Sequence, residues 1–246
     1  MNLSPQIGFS HPIKRAWLDF TVQHLLEGQT PAEVRTLLRD FLSDQVAVDS
    51  TTQHGSRQKV ISILSKIWLN VPQPVESFRN EGLTLFKRLP KNEYIVLHWG
   101  MAMAVYPFFA MVAENVGRLL RLQDYVSIAQ LRKRVREKMG EREAMWTAAQ
   151  KLIYCWTEWE ILAKSDKKGI YTITKTHTIA DSQLTSWLLE SALIASKGQS
   201  AVLHTLASYT PTLFPFNLSS NYFMPNERLE LFSQGVSDVS VTFKPS

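Results

Sequence analysis

Residues 127–175 read SIAQLRKRVREKMGEREAMWTAAQKLIYCWTEWEILAKSDKKGIYTITK. Ile128, Leu131, Val135 and Met139 recur there at helical spacing, and Ser127 with Gln130 three residues on forms a candidate capping box. Gly140 supplies a turn. A longer helix then starts at about Glu141 and extends toward Ile161. Its inward stripe is Met145, Ala148, Ala149, Leu152, Trp156 and Trp159, with Trp146 at the edge. Two short strands follow at 160–164 and 170–175, joined by a Ser-Asp-Lys-Lys-Gly loop over 165–169. Helix, turn, longer helix and basic hairpin is the order of a winged helix-turn-helix.

The charge is concentrated in the same place. Residues 118–151 hold nine Lys/Arg against four Asp/Glu, a net +5, and the whole chain is also +5. The remainder is therefore balanced, and a local basic surplus on such a fold points to nucleic acid. In helix-turn-helix proteins the N-terminal half of the second helix lies in the major groove. Arg142, Thr147, Gln150 and Lys151 are the base-reading candidates, since Arg pairs with guanine, Gln with adenine, and Thr touches a thymine methyl. Lys133, Arg134 and Arg136 on the preceding helix suit phosphates, which position without specifying, and Arg132 beside them is a further DNA-binding candidate. Lys167 and Lys168 tip a wing in which Lys164 and Lys175 face one acid, Asp166. With few base-reading side chains, weak sequence specificity is expected. A basic face also suits a plain solvated surface, and winged helices also serve as protein-docking modules. A docking or assembly role without DNA binding therefore stays the alternative.

Outward from this stretch the chain reads as helical. Helices are expected over 14–27, 57–69, 75–89 and 108–122. The clearest signal is Thr30-Pro31-Ala32-Glu33, a capping box with proline at the first helical position, ahead of Val34, Leu37, Leu38, Phe41 and Leu42. Residues 44–56 are polar and break the pattern. Beyond the hairpin, Asp181 caps a helix through about Lys197 with Gly198 at its end. A further helix spans 201–209, and 228–235 and 239–243 are partly β-like. The expected fold is mainly α. Residues 1–107 form an N-terminal helical bundle, 108–180 the winged helix-turn-helix, and 181–246 C-terminal helices and a tail packing on the rest.

Composition narrows the class. An apolar content of 45% suits a globular chain. The single cysteine, Cys155, cannot form an internal disulfide and reads as a buried structural thiol in a reducing compartment. The first residues lack a signal-peptide pattern, so a cytoplasmic location is expected. Residues 94–113 form a 20-residue run without Asp, Glu, Lys or Arg, long enough to span a bilayer. His98, Gly100 and Pro107 interrupt it, and it reads as a buried core helix broken near Pro107, without stable membrane insertion. The six histidines are scattered, and no zinc spacing, phosphate loop or nucleophile elbow appears. No catalytic site, metal or cofactor is expected. His98 reads as a satisfied core histidine.

The run YPFFAMVAENVGRLLRLQDYVSIAQLRKRVREKMGEREAMWTAAQKLIYCWTEWEIL, residues 106–162, resembles the BrxA family of bacterial phage-exclusion (BREX) systems. LFPF at 213–216 and RLELFSQG at 228–235 resemble that family's C-terminal pattern. Together these cover somewhat over half the chain. The resemblance implies a small, mostly helical, non-enzymatic protein that binds double-stranded DNA within a multi-protein defence system. It also implies that the helix from Glu141 is the DNA-facing element.

Overall fold

The computed structural model describes residues 8–46, 55–234 and 238–245. Residues 47–54 of the polar stretch, His54 among them, and Gly235 of the closing motif lie outside the described residues. The first elements follow the sequence pattern. Helix α1 (Arg15–Leu26) buries Trp17, Leu18 and Val22. Helix α2 (Pro31–Phe41) starts with the expected capping box, the Thr30 side chain accepting from the Glu33 N–H and Glu33 reaching back to the Thr30 N–H. Helix α3 (Ser56–Leu64) continues into a π-helical turn, Ser65–Leu69, that buries Ile67, Trp68 and Leu69. Helix α4 (Glu76–Arg88) follows a proline-bounded turn.

The apolar run folds as a corner. Helix α5 (Tyr94–Val105) is buried on nearly every side, and helix α6 (Pro107–Gln123) leaves it at 116°. Pro107 stands at the first position of α6, where its missing N–H costs nothing, so the break falls at Tyr106. Among the described residues no single helix is long and apolar enough to cross a membrane.

Strand β1 (Val126–Ser127), helix α7 (Ile128–Met139), helix α8 (Glu143–Glu158), strand β2 (Leu162–Lys164) and strand β3 (Ile170–Ile173) come next. The three strands form an antiparallel sheet in the order β1-β3-β2. Strand β4 (His177–Thr178) leads into helix α9 (Ser182–Ser196), capped by the Asp181 carboxylate on the Leu184 N–H. Strand β5 (Ser200–Val202), helix α10 (Leu203–Tyr209), strand β6 (Phe216–Asn217) and the hairpin β7 (Leu229–Gln234) and β8 (Asp238–Phe243) complete the fold. β4 pairs in parallel with β6, and β5-β8-β7 is a second antiparallel sheet. The architecture is mainly α with small sheets.

Helix α9 lies at the centre rather than on the outside. Residues 184–193 are all buried, and the helix packs on α4 and α5. Its Trp187 stacks on Phe78 at 4.3 Å and donates to the Phe78 carbonyl at 2.9 Å. Its buried Glu190 takes both Nε and Nη2 of Arg228, which also reaches Glu81 and so ties the C-terminal sheet to α4 and α9. The apolar core runs unbroken from Phe9 to Val241.

Candidate nucleic-acid interface

The turn between α7 and α8 sets the register of the basic face. Gly140 holds φ 77° and ψ 179°, a region essentially confined to glycine. Glu141 and Arg142 complete the turn, and the Met145 N–H donates to the Arg142 carbonyl at 3.0 Å. The second helix therefore begins at Glu143, two residues later than the expected Glu141, with Arg142 extended at its N-cap. The expected inward stripe is buried throughout. At the far end Glu160 turns left-handed at φ 60°. The Glu160 N–H reaches the Thr157 carbonyl and the Ile161 N–H the Trp156 carbonyl at 2.8 Å, a Schellman closure. That reversal consumes Glu160 and Ile161, so the strand starts at Leu162 and not at 160.

Strand β1 has no counterpart in the sequence reading. Val126 pairs with Tyr171 and Ser127 with Ile170, and the Ile128 N–H donates to the Gly169 carbonyl at 2.9 Å. The start of α7 is thereby stitched to the hairpin loop. This is why the expected Ser127 cap is absent: Ser127 is drawn into the sheet, and Gln130 pairs its amide reciprocally with Gln123 instead. A two-residue strand carries no alternation to detect.

A hollow of about 380 Å³ opens between α7, α8 and the hairpin loop, lined in part by Arg132, Trp146, Gln150 and Lys168. Trp146 is buried there, with the Arg132 guanidinium 5.5 Å from its ring centroid. It is a core-rim residue and leaves Arg132 as the polar surface above it. Arg132 also bonds Glu143 at 3.0 Å, and Arg136 is paired with Glu141. Lys133, Arg134, Arg142, Thr147, Lys167 and Lys168 have no side-chain partner among the described residues, and all but the partly buried Arg134 are exposed. Lys151 stands apart from this group. Its Nζ donates to the Ser10 carbonyl, on the side of α8 facing the N-terminal lead. Burial, aided by the like charge of Lys59, holds its amine below the ordinary lysine range. The sequence reading placed Lys151 beside Gln150; one residue is 100° of helix, enough to send the two to different sides.

Cys155 and His98 are locked into the core. Cys155 is buried and accepts the Ile13 N–H at 3.1 Å, and burial pushes its thiol up to about 12. His98 is buried between Trp68 and Asp19. Among the described residues no group of three or more His, Cys, Asp or Glu is arranged to hold a metal ion. No family model, curated protein or solved structure matches the chain.

Proposed function

We propose that this chain is a non-enzymatic protein that binds double-stranded DNA, mainly through backbone phosphates and with weak sequence preference. The observation that carries the reading is the convergence of Arg132, Gln150 and Lys168, from three separate elements, on one hollow. Lys133, Arg134, Arg142 and Lys167, on the same elements, have no side-chain partner among the described residues. In this reading α8 is the groove-facing helix of a winged helix-turn-helix and the β2–β3 hairpin is its wing. Thr147 and Gln150 face bases, and the basic side chains hold phosphates. Arg132 and Arg136 exchange their intramolecular carboxylates for phosphate on binding, which lowers their net contribution. The resemblance of residues 106–162 to the BrxA family supports a place in a cytoplasmic, BREX-like phage-defence system.

The test is a duplex titration at several salt concentrations. Affinity should fall linearly with salt on logarithmic axes, by about 0.9 per phosphate contacted. Lys133→Gln with Arg134→Gln should reduce that slope by about 2 and weaken every duplex sequence alike. Absence of duplex binding at low salt would overturn the reading.

The second reading, an assembly factor for other defence proteins, has its own support. The β7–β8 hairpin exposes Leu231 (41%), Phe232 (56%) and Val239 (38%), large apolar side chains that suit a protein partner. Co-purification that survives nuclease and high salt, from a protein without duplex affinity, would carry that reading instead.

A further inference from the structure

The C-terminal sheet has an open edge. Its strands pair in the order β5-β8-β7, so β5 and β7 are the outer ones. β5 is three residues long and runs directly into α10, which blunts that side. β7 is six residues long and carries neither proline nor lysine, the usual guards of an edge strand.

The ladder fixes which backbone groups stay open. In an antiparallel pair, successive residues turn their N–H and C=O alternately toward the partner and away from it. The Lys244 N–H donates to the Arg228 carbonyl, so Arg228 and, by alternation, Glu230 and Phe232 bond toward β8. Leu229, Leu231 and Ser233 therefore turn outward. At Leu229 the outward groups are taken: its N–H donates to Asn226 Oδ1, and its carbonyl accepts the Asn226 N–H. Leu231 and Ser233 have no partner on that side among the described residues. Their N–H and C=O groups stand beside the exposed side chains of Leu231 and Phe232.

This edge is complementary to itself. Two copies of β7 laid antiparallel about Phe232 bring Leu231 of each opposite Ser233 of the other. Such pairs exchange both N–H···O bonds, so every open group finds a partner. Phe232 meets its own copy in a non-hydrogen-bonded pair, where side chains stand closest and aromatic pairs stabilise. Glu230 falls opposite position 234, a glutamine, so like charges do not meet. A register centred on Leu231 instead would set Ser233 against Leu229, whose groups are already taken.

We propose that the chain forms a two-fold symmetric homodimer by pairing β7 with β7, joining two three-stranded sheets into one. The exposed hairpin is thereby assigned to a second copy rather than to a foreign protein, and the pairing does not depend on DNA binding. A contact this short makes a weak, concentration-dependent dimer.

Sedimentation equilibrium of the full chain, from micromolar to submillimolar concentration, should show monomer passing to dimer. Ser233→Pro removes only an outward N–H, which edge strands tolerate, so the fold should survive while the dimer is lost. Phe232→Lys sets like charges opposite each other on the axis and should abolish the dimer too. Far-UV circular dichroism and the urea midpoint check that each variant stays folded. Cysteine variants read the register. Phe232→Cys places two thiols opposite each other with Cα atoms about 4.5 Å apart, within reach of a disulfide, and mild oxidation should give a covalent dimer. Glu230→Cys, also at an exposed position, should not crosslink, because Glu230 lies opposite position 234; the native Cys155 is buried. A chain that stays monomeric throughout, with Phe232→Cys crosslinking no more than Glu230→Cys, overturns the proposal. So does a dimer that folded Ser233→Pro and Phe232→Lys leave intact, since another surface then holds it. If those two variants fail to fold, the cysteine pair decides alone.

Discussion

His98 has its proton placed by its neighbours. The Trp68 Nε1–H is a donor only, and it points at His98 Nδ1 from 3.1 Å. Nδ1 must therefore accept, the proton sits on Nε2, and Nε2 donates to Asp19 Oδ1 at 2.8 Å. Burial holds the imidazole below its usual range of about 6.5, with Asp19 opposing and Arg15 assisting. Folding thus favours the neutral ring, and as pH falls the unfolded chain takes up the proton first. The stability tied to this site is complete above about pH 6.5 and is lost as pH drops below it. The urea midpoint should therefore decline between pH 7 and pH 5. His98→Leu should lower stability by about 2 kcal/mol at pH 7, because the Trp68 N–H loses its acceptor, and should flatten part of the decline. His177 is shifted the same way and titrates in both proteins, so the difference isolates His98. An unchanged slope in the variant would refute this account. The sequence already marks His98 as a core histidine, because it interrupts an apolar run. Its partners, 30 and 79 residues away, leave no local trace.

At the level of elements, the turn at Gly140 decides where the basic face points. Its φ 77° and ψ 179° lie where a Cβ is strained, although nothing within 4 Å would meet the added atom. Gly140→Ala should therefore cost about 1–3 kcal/mol through the backbone alone. Urea unfolding measures that cost, and a shift within a few tenths would show that the turn adapts freely. Duplex affinity should fall with it, since α8 is re-aimed relative to α7. Element ends were legible where the signal was local and unopposed. The Thr30–Glu33 box and the Asp181 cap formed as their residue types imply. They were not legible where a distant segment competed: Ser127 went to β3 instead of capping α7. Nor did the obvious residue always take the special conformation. Lys197, not Gly198, is left-handed at the end of α9, and the Gly198 N–H closes the turn on the Leu193 carbonyl. Of the site, the basic side chains were readable from charge and spacing. The departure of Lys151 from that group was not, because it depends on the lead packing beside α8, where Ser10 offers its carbonyl.

For the whole molecule, the position of α9 is the feature with the widest consequence. A helix apolar on one stripe packs on a surface, but residues 184–193 are buried all round, which requires neighbours on every side. α4 and α5 supply them at close range. A Cβ on Gly100 would come 2.3 Å from Trp187 Cζ3, and one on Gly82 would stand 3.0 Å from Cζ2. Trp99 and Trp156 then join α5 to α8 with ring centroids 5.1 Å apart. Aromatic contacts thus link the bundle to α8, and the buried apolar residues described form one cluster. Such a core should unfold in a single cooperative transition, with calorimetric and van't Hoff enthalpies agreeing. Trp187→Ala removes a large buried ring and the hydrogen bond to Phe78, and should cost about 3–5 kcal/mol. Leu131→Ala, buried in α7 at the far end, should cost about 2–5 kcal/mol. If the core is one unit, both substitutions lower the same melting temperature and leave one peak. A scan of Leu131→Ala that splits into two peaks, with the later one unmoved, would show instead that α7 and α8 melt apart from the bundle, and the cooperative account would fail.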